Sequence, residues 1–239
     1  MKNYALFLWI ALLMLGISGT IGAREVASFN DGWEFKKGPF SKEALQAVQK
    51  WNSDWQEVSI PHTWNADDMQ KQASAFYEGV GYYRKKFTFP ENMEGKRIFL
   101  RFEGVGSYAE VYINGYLAGT HKGAYSAFAC EISSQVKFGK ENEIIVKADN
   151  SSRPDVIPTN HILFGVYGGI YRPVWLVVTE TCSIIANDCA SPGVYITQKN
   201  VSKKSAEVTV KVKVDNATLA PVPPQFLYSS ASQEKSFFI

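Results

Sequence analysis

A polar loop near residue 65 holds side chains that could bind the polar groups of a ligand. The loop, residues 64–79, is longer than most connections in a compact domain. Asn65, Asp67 or Asp68 could bond hydroxyls, because a carboxylate accepts from two of them and an amide both donates and accepts. A structural alternative, in which Trp64 packs under the fold, is the one we favour for Trp64 itself. Three aromatic side chains could serve as stacking platforms for a ligand: Trp64, Phe76 and Tyr77.

Other groups that commonly do chemistry lack the spacing that their reactions need. The histidines His62, His121 and His161 show no metal-ligand spacing, and there is no Cys-x-x-Cys pair, so we expect no metal. The sequence has neither a Ser-His-Asp order nor a phosphate-binding glycine loop, and we expect no cofactor. A formal net charge of +2 gives no reason to expect nucleic acid or an anionic membrane surface as a partner.

The first 23 residues have the pattern of a secretory signal peptide. Lys2 gives a positive start, Tyr4 to Ile17 form an apolar run, and the small residues Ser18 to Ala23 suit cleavage after Ala23. The apolar run is shorter than the roughly 20 residues of a spanning helix, although a retained anchor is the alternative. We therefore predict a periplasmic or secreted protein with no membrane partner after cleavage.

The three cysteines do not predict a disulfide framework. Export would permit a disulfide, but an odd number leaves at least one thiol unpaired. Cys182 and Cys189 could pair across a short loop. We favour buried free thiols for these two and for Cys130.

Short alternating segments with turn residues between them predict an all-β sandwich over residues 24–181. Residues 41–51 alone predict a helix, which Ser41 could cap. Asn114-Gly115 predicts a hairpin turn. The predicted strands flank Asp31-Gly32 and occupy residues 56–60, 82–89, 97–103, 108–113, 116–121, 126–132, 143–149 and 174–178.

Alternation also predicts which side chains face the core. Trp33 and Phe35 should share one face. In the strand that begins at residue 97, Leu100 and its even-numbered neighbours should face inward, whereas Phe99 should face the other way.

A second pattern begins at residue 182 and continues to residue 239. Residues 193–197 predict one strand, and residues 205–215 predict a single long strand with its valines, from Val208 to Val214, on one face. The proline-rich stretch 220–224 then breaks the pattern. Two or three strands do not complete a sandwich, so we predict a partial domain here.

A series of short motifs runs along the chain in this order: Phe29-Asn30-Asp31-Gly32-Trp33, Pro61-His62-Thr63-Trp64-Asn65, Gly81-Tyr82-Tyr83-Arg84, Phe102-Glu103-Gly104-Val105, Val111-Tyr112-Ile113-Asn114-Gly115, Gly119 and Gly168-Gly169-Ile170-Tyr171-Arg172. The last motif opens with Gly-Gly, and glycine permits positive φ and close backbone contact. In its members and their order, the series resembles the N-terminal part of glycoside hydrolase family 2, of the β-galactosidase and β-glucuronidase kind.

This resemblance implies a jelly-roll, galactose-binding-like domain over residues 24–181, then an incomplete immunoglobulin-like sandwich over residues 182–239. In the full-length parent a catalytic barrel domain would follow. Retaining hydrolysis needs two carboxylates roughly 5 Å apart, and the family's acid/base glutamate follows an asparagine. Here the sole Asn-Glu pair is Asn142-Glu143, which we interpret as a turn and strand start, so we predict no catalytic residue in this chain.

The resemblance also directs attention to the loop before the Gly-Gly motif. Relatives place an acidic side chain there, but the corresponding position holds Leu163. Asn160 and His161 are the nearest polar substitutes, and Tyr167 opens the motif. We expect Arg84 and Arg172 to pair with carboxylates, in or between domains, rather than to bind a ligand. The predicted substrate-binding set is Asn65, Asp67, Asn160, His161 and Tyr167.

The function that the resemblance implies is the N-terminal portion of a secreted, β-galactosidase-like hydrolase that cleaves O-glycosidic bonds in carbohydrate metabolism. Its partner would be a carbohydrate, a β-galactoside or related β-glycoside. Two alternatives stay open, a non-catalytic carbohydrate-binding module and a non-functional truncated remnant.

Overall fold

The computed structural model describes residues 24–38, 55–68, 76–157 and 165–217, and within these ranges the protein is almost entirely β-structure. The predicted signal peptide, the predicted helix 41–51 and the proline-rich stretch lie outside the described residues. A 3₁₀ turn at Glu91–Met93 joins two of the strands. The fourteen strands of the described ranges are β1 (Glu25–Ser28), β2 (Trp33–Lys37), β3 (Gln56–Val58), β4 (Val80–Thr88), β5 (Arg97–Phe102), β6 (Tyr108–Ile113), β7 (Tyr116–Lys122), β8 (Phe128–Glu131), β9 (Glu141–Asp149), β10 (Val174–Thr179), β11 (Cys182–Ile184), β12 (Val194–Lys199), β13 (Glu207–Val212) and β14 (Val214–Asn216).

The first ten strands form a jelly-roll sandwich of two antiparallel sheets. One sheet has the order β3-β2-β4-β9-β6-β7 and the other has the order β1-β10-β5-β8. Two small sheets follow, β11 with β14 and β12 with β13, which form the incomplete immunoglobulin-like part. The all-β prediction is therefore confirmed. No helix in the described ranges has the length and apolar character needed to cross a bilayer.

The core lies between the two large sheets and is built by period-two alternation. β4 and β9 pair over nine residues, with Tyr83 opposite Val146, and both side chains are buried. Burial of such large apolar side chains contributes about 1.5–3 kcal/mol each. Further core side chains come from both sheets: Trp33, Phe35, Ile98, Leu100, Phe102, Val111, Ile113, Ile144 and Val174.

The strands on the two sides of Asp31-Gly32 are present, but they belong to different sheets. β1 pairs with β10, whereas β2 pairs with β3 and β4. The chain crosses between the sheets at Phe29, whose carbonyl accepts a 2.7 Å hydrogen bond from the indole of Trp33. Trp33 and Phe35 face the core together, as predicted.

Phe99 faces away from the sandwich core, as alternation predicts, but it is not a surface residue. It is 1% exposed and packs with Val177, Trp175 and Ala186. The chain after β11 therefore covers the outer face of the four-stranded sheet.

The prediction of one long strand over residues 205–215 is wrong. The strand divides at Lys213, because its N–H bonds to Gly193 O (2.8 Å) and its carbonyl accepts from Ile185 N (3.1 Å). β13 then pairs with β12, and β14 pairs with β11. The alternation continues through the break, so the sequence pattern alone could not locate it.

All three cysteines are free thiols. Cys130 is buried, and burial raises its pKa to about 12. Cys182 is partly buried and Cys189 is exposed, so the expectation of buried thiols is confirmed for Cys130 and is wrong for Cys189.

Candidate functional site

One end of the sandwich gathers the loops that the sequence singled out. In the strand register, Lys37 lies opposite Gly81, and Val80 and Tyr108 both lie opposite Asp149. The ends of β2 and β9 and the starts of β4 and β6 therefore lie together in the larger sheet. We call this end of the sandwich the loop end. Its described loops are residues 62–68, 76–79, 103–107, 150–157 and 165–171.

Asn65 lies at the centre of the loop end and is completely buried. Its amide nitrogen donates to Asp68 Oδ2 (2.7 Å) and Tyr77 O (3.0 Å). Its amide oxygen accepts from Gly168 N (2.8 Å) and Asn150 Nδ2 (3.2 Å). Both donors and both lone pairs are thus used within the protein. The assignment of Asn65 to a sugar is corrected, because this side chain positions loops.

Asn150 ties three loops together, and the sequence analysis did not find it. Its oxygen accepts from Gly79 N (2.8 Å), and its nitrogen donates to Val166 O (2.8 Å) and Tyr77 O (3.2 Å). Buried amides in such networks rigidify the segments that they join. The available signal was its place, an asparagine directly after a long buried strand.

The two motif glycines are required by contact and by conformation. A Cβ on Gly168 would overlap the indole of Trp64. Gly169 has φ +116°, and a Cβ there would lie 2.7 Å from the carbonyl oxygen of His62. Its own carbonyl accepts from Gly106 N (3.0 Å), which anchors the motif to the loop before β6.

Trp64 is a structural residue, as the favoured alternative predicted. It is buried and stacks on Phe35, with ring centroids 5.7 Å apart and planes 15° apart. Tyr77 meets it edge-on at 6.2 Å. The indole therefore supports the loop end from beneath and is not a platform for a ligand.

The outer surface of the loop end carries the side chains that a ligand could reach. Asp67 is exposed, and Tyr167 is 39% exposed. Phe76 meets Tyr167 edge-on, with centroids 6.5 Å apart. A carboxylate and an aromatic pair with one exposed member, Tyr167, are the groups that suit sugar hydroxyls and C–H faces. Asn160 and His161 lie outside the described residues, as does Leu163.

The remaining motif residues extend this surface. Tyr171 donates to Ala124 O, and burial raises its pKa. Arg172 is exposed, and its stem crosses Gly104, where a Cβ would lie 2.9 Å from Arg172 Cδ.

The predicted ion pair of Arg84 is confirmed. It contacts Glu34 at 2.5 Å on the outer face of the six-stranded sheet. This arginine therefore serves the scaffold and lies apart from the motif surface.

The histidine beside the motif is also structural. His62 Nδ1 lies 2.8 Å from Tyr83 Oη, and its backbone N–H donates to Ile170 O (2.8 Å). Burial lowers the pKa of His62, which favours the neutral imidazole. In the described ranges, no cluster of three or more His, Cys, Asp and Glu side chains is arranged to hold a metal ion.

Asn142-Glu143 lies at the start of β9, as predicted, but both residues belong to the strand and the turn precedes them. Asn142 is buried, accepts from Lys137 N (2.7 Å) and donates to Lys140 O (3.0 Å). Burial raises the pKa of Glu143. This carboxyl is six residues along β9 from Asp149, and a strand rises about 3.3 Å per residue, so it lies about 20 Å from the loop end.

Comparison with known families identifies the family in which these features belong. The sequence profile of "Glycosyl hydrolases family 2, sugar binding domain" matches residues 26–180, the stretch that contains β1 to β10. The chain belongs to glycoside hydrolase family 2. Its buried glycines and loop-tying amides are thus parts of this family's sugar-binding domain.

Two curated family 2 relatives differ in their stated activity. A β-glucuronidase of Bacteroides fragilis is 37% identical over 215 residues, which cover 90% of this chain and 29% of the relative. A β-galactosidase of Thermoanaerobacter pseudethanolicus is 32% identical over 196 residues, which cover 80% of this chain and 25% of the relative.

Two solved structures of similar proteins are named for the same two activities. A candidate β-galactosidase from Bacteroides fragilis is 68% identical with a TM-score of 0.79, and the match covers 84% of this chain and 30% of that one. A β-glucuronidase from Bacteroides uniformis is 32% identical with a TM-score of 0.74, covering 82% and 23%. The family 2 chain described here spans less than a third of the length of each of these four relatives.

Proposed function

We propose that this family 2 chain is the sugar-binding portion of a glycosidase that hydrolyses terminal β-galactoside or related β-glycoside bonds with retention. The observation that carries the proposal is the family match over all ten strands of the sandwich. The named activities of the relatives support the substrate class, since both β-galactosidases and β-glucuronidases are among them.

In this proposal the loop end forms one wall of the sugar site. Asp67 accepts hydrogen bonds from sugar hydroxyls, and Tyr167 with Phe76 offers an aromatic contact. Asn160 and His161 complete the proposed set from the sequence. Asn65 and Asn150 act indirectly, because they hold the loops that carry these groups.

The reacting carboxylates would come from a catalytic barrel domain in a longer parent. Retention needs two of them roughly 5 Å apart, one as nucleophile and one as acid/base. The present chain should therefore be inactive alone.

The test is an assay of purified residues 24–239 with chromogenic β-galactoside and β-glucuronide substrates. We expect no turnover above the buffer rate, while a full-length family 2 glycosidase in the same plate serves as the active control. Turnover by the purified chain would overturn the proposal that the catalytic carboxylates lie in a separate barrel domain.

A second candidate function, a free-standing carbohydrate-binding module, is favoured by the exposed Tyr167 and its edge-on contact with Phe76. It predicts saturable binding of galactose- or glucuronate-terminated oligosaccharides by calorimetry. Tyr167→Ala should then weaken binding about tenfold, as loss of one aromatic contact worth about 1.4 kcal/mol would do. Tyr116→Ala is the matched control, because Tyr116 is an exposed tyrosine beside the Asn114-Gly115 turn at the opposite end. No binding at millimolar sugar would exclude the module.

We also propose export with cleavage after Ala23, which the charged and apolar pattern of residues 2–23 supports. Expression in a Gram-negative host and mass spectrometry of the recovered protein test it. A periplasmic protein that begins at Arg24 is expected, and an uncleaved cytoplasmic product would contradict the proposal.

A further inference from the structure

Arg97 lies where the sandwich meets residues 182–217. It is a β5 residue and is buried. Its Nε and Nη2 donate to the two carboxylate oxygens of Glu131 on β8 (2.9 and 2.7 Å). Its third arm, Nη1, donates to Asp215 Oδ2 on β14 (2.8 Å). One guanidinium therefore bonds to both parts of the molecule, and such charge-assisted bonds are among the strongest that side chains form.

Two further arginines of the sandwich hold the backbone of the following segment. Arg24 Nη2 donates to the carbonyls of Ile184 (2.9 Å) and Ile185 (3.0 Å). Arg101 Nη1 donates to Ala190 O. These bonds go to main-chain oxygens, so they fix the path of residues 184–190 whatever their side chains are.

An apolar seam lies beneath these polar contacts. Phe99, Val177 and Ala186 are buried together, with Trp175 packed beside them. The guanidinium carbon of Arg97 is 5.1 Å from the centroid of the Phe99 ring, so the arginine packs over this apolar cluster. The seam is separate from the large core between the two sheets.

The connection leaves little freedom for Asp215. Only two residues separate the end of β10 from the start of β11. Asp215 is paired with Ser183 in the β11–β14 sheet, and Ala217 N donates to Thr181 O (2.9 Å). Asp215, the acceptor for Arg97, therefore lies on a strand that is itself held by hydrogen bonds close to the end of β10.

We propose that Arg97 is the positioning residue of a rigid joint, which fixes residues 182–217 on the outer face of the four-stranded sheet, and that loss of its bond to Asp215 releases them while the sandwich stays folded. The separation follows from the two independent clusters, since the main core makes no use of the seam. The bond to Glu131 lies within the sandwich and orients the guanidinium toward Asp215.

The test is hydrogen–deuterium exchange on the full chain with Asp215→Asn and, separately, Arg97→Met. In both variants, amides of β11 and β14 should exchange about tenfold faster, as expected when a charged hydrogen bond is lost. Amides of β4 and β9 should keep their wild-type rates. Arg84→Met is the matched control, because it removes a salt-bridged arginine from the other sheet and should leave β11 and β14 unchanged.

Two further measurements separate a joint from general weakening. Arg97→Lys keeps the charge and should restore part of the protection of β11 and β14. The double variant with Asp215→Asn should exchange no faster than Arg97→Met alone, because both changes break the same bond.

Unchanged exchange in β11 and β14 in both single variants would overturn the proposal. Equal acceleration in β4, β9, β11 and β14 would also overturn it, because the sandwich would then not be separable. If Arg97→Met does not fold, Asp215→Asn still decides, since it leaves the Arg97–Glu131 pair intact.

Discussion

β9 in the sandwich and β13 in the following unit share one sequence feature and have very different surroundings. In each strand an apolar residue recurs at every second position. Ile144, Val146 and Ala148 of β9 are fully buried, whereas Val208 and Val210 of β13 are 47% and 53% exposed. β9 has a neighbour on each edge and a sheet opposite, but β13 pairs with β12 alone within the described ranges. Alternation therefore predicts a strand, and only a second layer makes one of its faces a core.

The energetic consequence is that the two regions do not share stability equally. A fully buried valine contributes at least about 1.5 kcal/mol, while a half-exposed one contributes a fraction of this. An isolated two-stranded hairpin is marginal in water. Substitutions of the same type should thus have large effects in the sandwich and small effects in β12–β13.

The largest effect should come from Gly168→Ala at the loop end. The new methyl group would overlap the indole of Trp64, which is itself packed on Phe35. We expect a loss of about 3 kcal/mol in the free energy of unfolding by urea titration. Gly115→Ala is the control: Gly115 has open space around it, and the substitution should cost about 1 kcal/mol because its φ is positive, at +84°. Equal losses would show that the loop end is not tightly packed.

Asn150→Ala should have the next largest effect. It leaves Gly79 N and Val166 O without their buried partner and removes one of the two donors to Asn65 Oδ1, so the expected loss is about 2–3 kcal/mol. Asn200→Gly, in the following unit, removes an exposed bond to Glu207 while keeping a residue that accepts the φ of +50° at this position, and should change stability by less than about 0.5 kcal/mol. A similar value for both asparagines in thermal or urea unfolding would contradict the buried network.

A direct comparison of the two strands is Val146→Ala against Val210→Ala. The first removes two methyl groups from the core and should cost about 2 kcal/mol. The second removes them from a half-exposed face and should cost less than about 0.5 kcal/mol. The comparison fails if Val210→Ala is the more damaging of the two in calorimetric unfolding.

The smallest effect should be a pH dependence at Glu131. Its hydrogen bonds from Arg97 lower the pKa of this carboxyl below its ordinary value of 4.5. Because the folded pKa is the lower one, the pair stabilises the fold above pH 4.5 and loses this contribution as the pH falls through the folded pKa. Glu131 is partly exposed, so solvent screening keeps the expected contribution below about 1 kcal/mol. Glu131→Gln should flatten the acid side of the stability profile, and an unchanged slope would exclude this role.

The sequence predicted those parts of the fold that have local signals. Asn114-Gly115 marks the β6–β7 turn, and the alternation of residues 97–103 marks β5. The pairing of β1 with β10 joins segments about 150 residues apart and has no local signal. The break at Lys213 was missed for a related reason, since its hydrogen-bond partners, Gly193 and Ile185, are distant in sequence.

The candidate site was predicted less completely than the fold. Residue type alone cannot distinguish Asn65 from Asp67. Asn65 is buried and makes its hydrogen bonds within the protein, whereas Asp67, two positions later, is exposed to solvent. That difference depends on Gly168 and Asn150, which lie beside Asn65 in the fold but 103 and 85 residues away in sequence. Family resemblance identified the glycines, but the close contact with Trp64 that explains Gly168 appears only in three dimensions.

The pairing of β1 with β10 has a consequence for synthesis on the ribosome. β10 lies between β1 and β5, so β1 has no partner in its sheet until β10 has been made. At 5–20 residues per second, roughly 10–30 s pass between these strands, during which an exposed strand edge is available for pairing with other chains. The sandwich must therefore close after translation of nearly its whole length, and a factor that binds the nascent chain until then would protect it from aggregation.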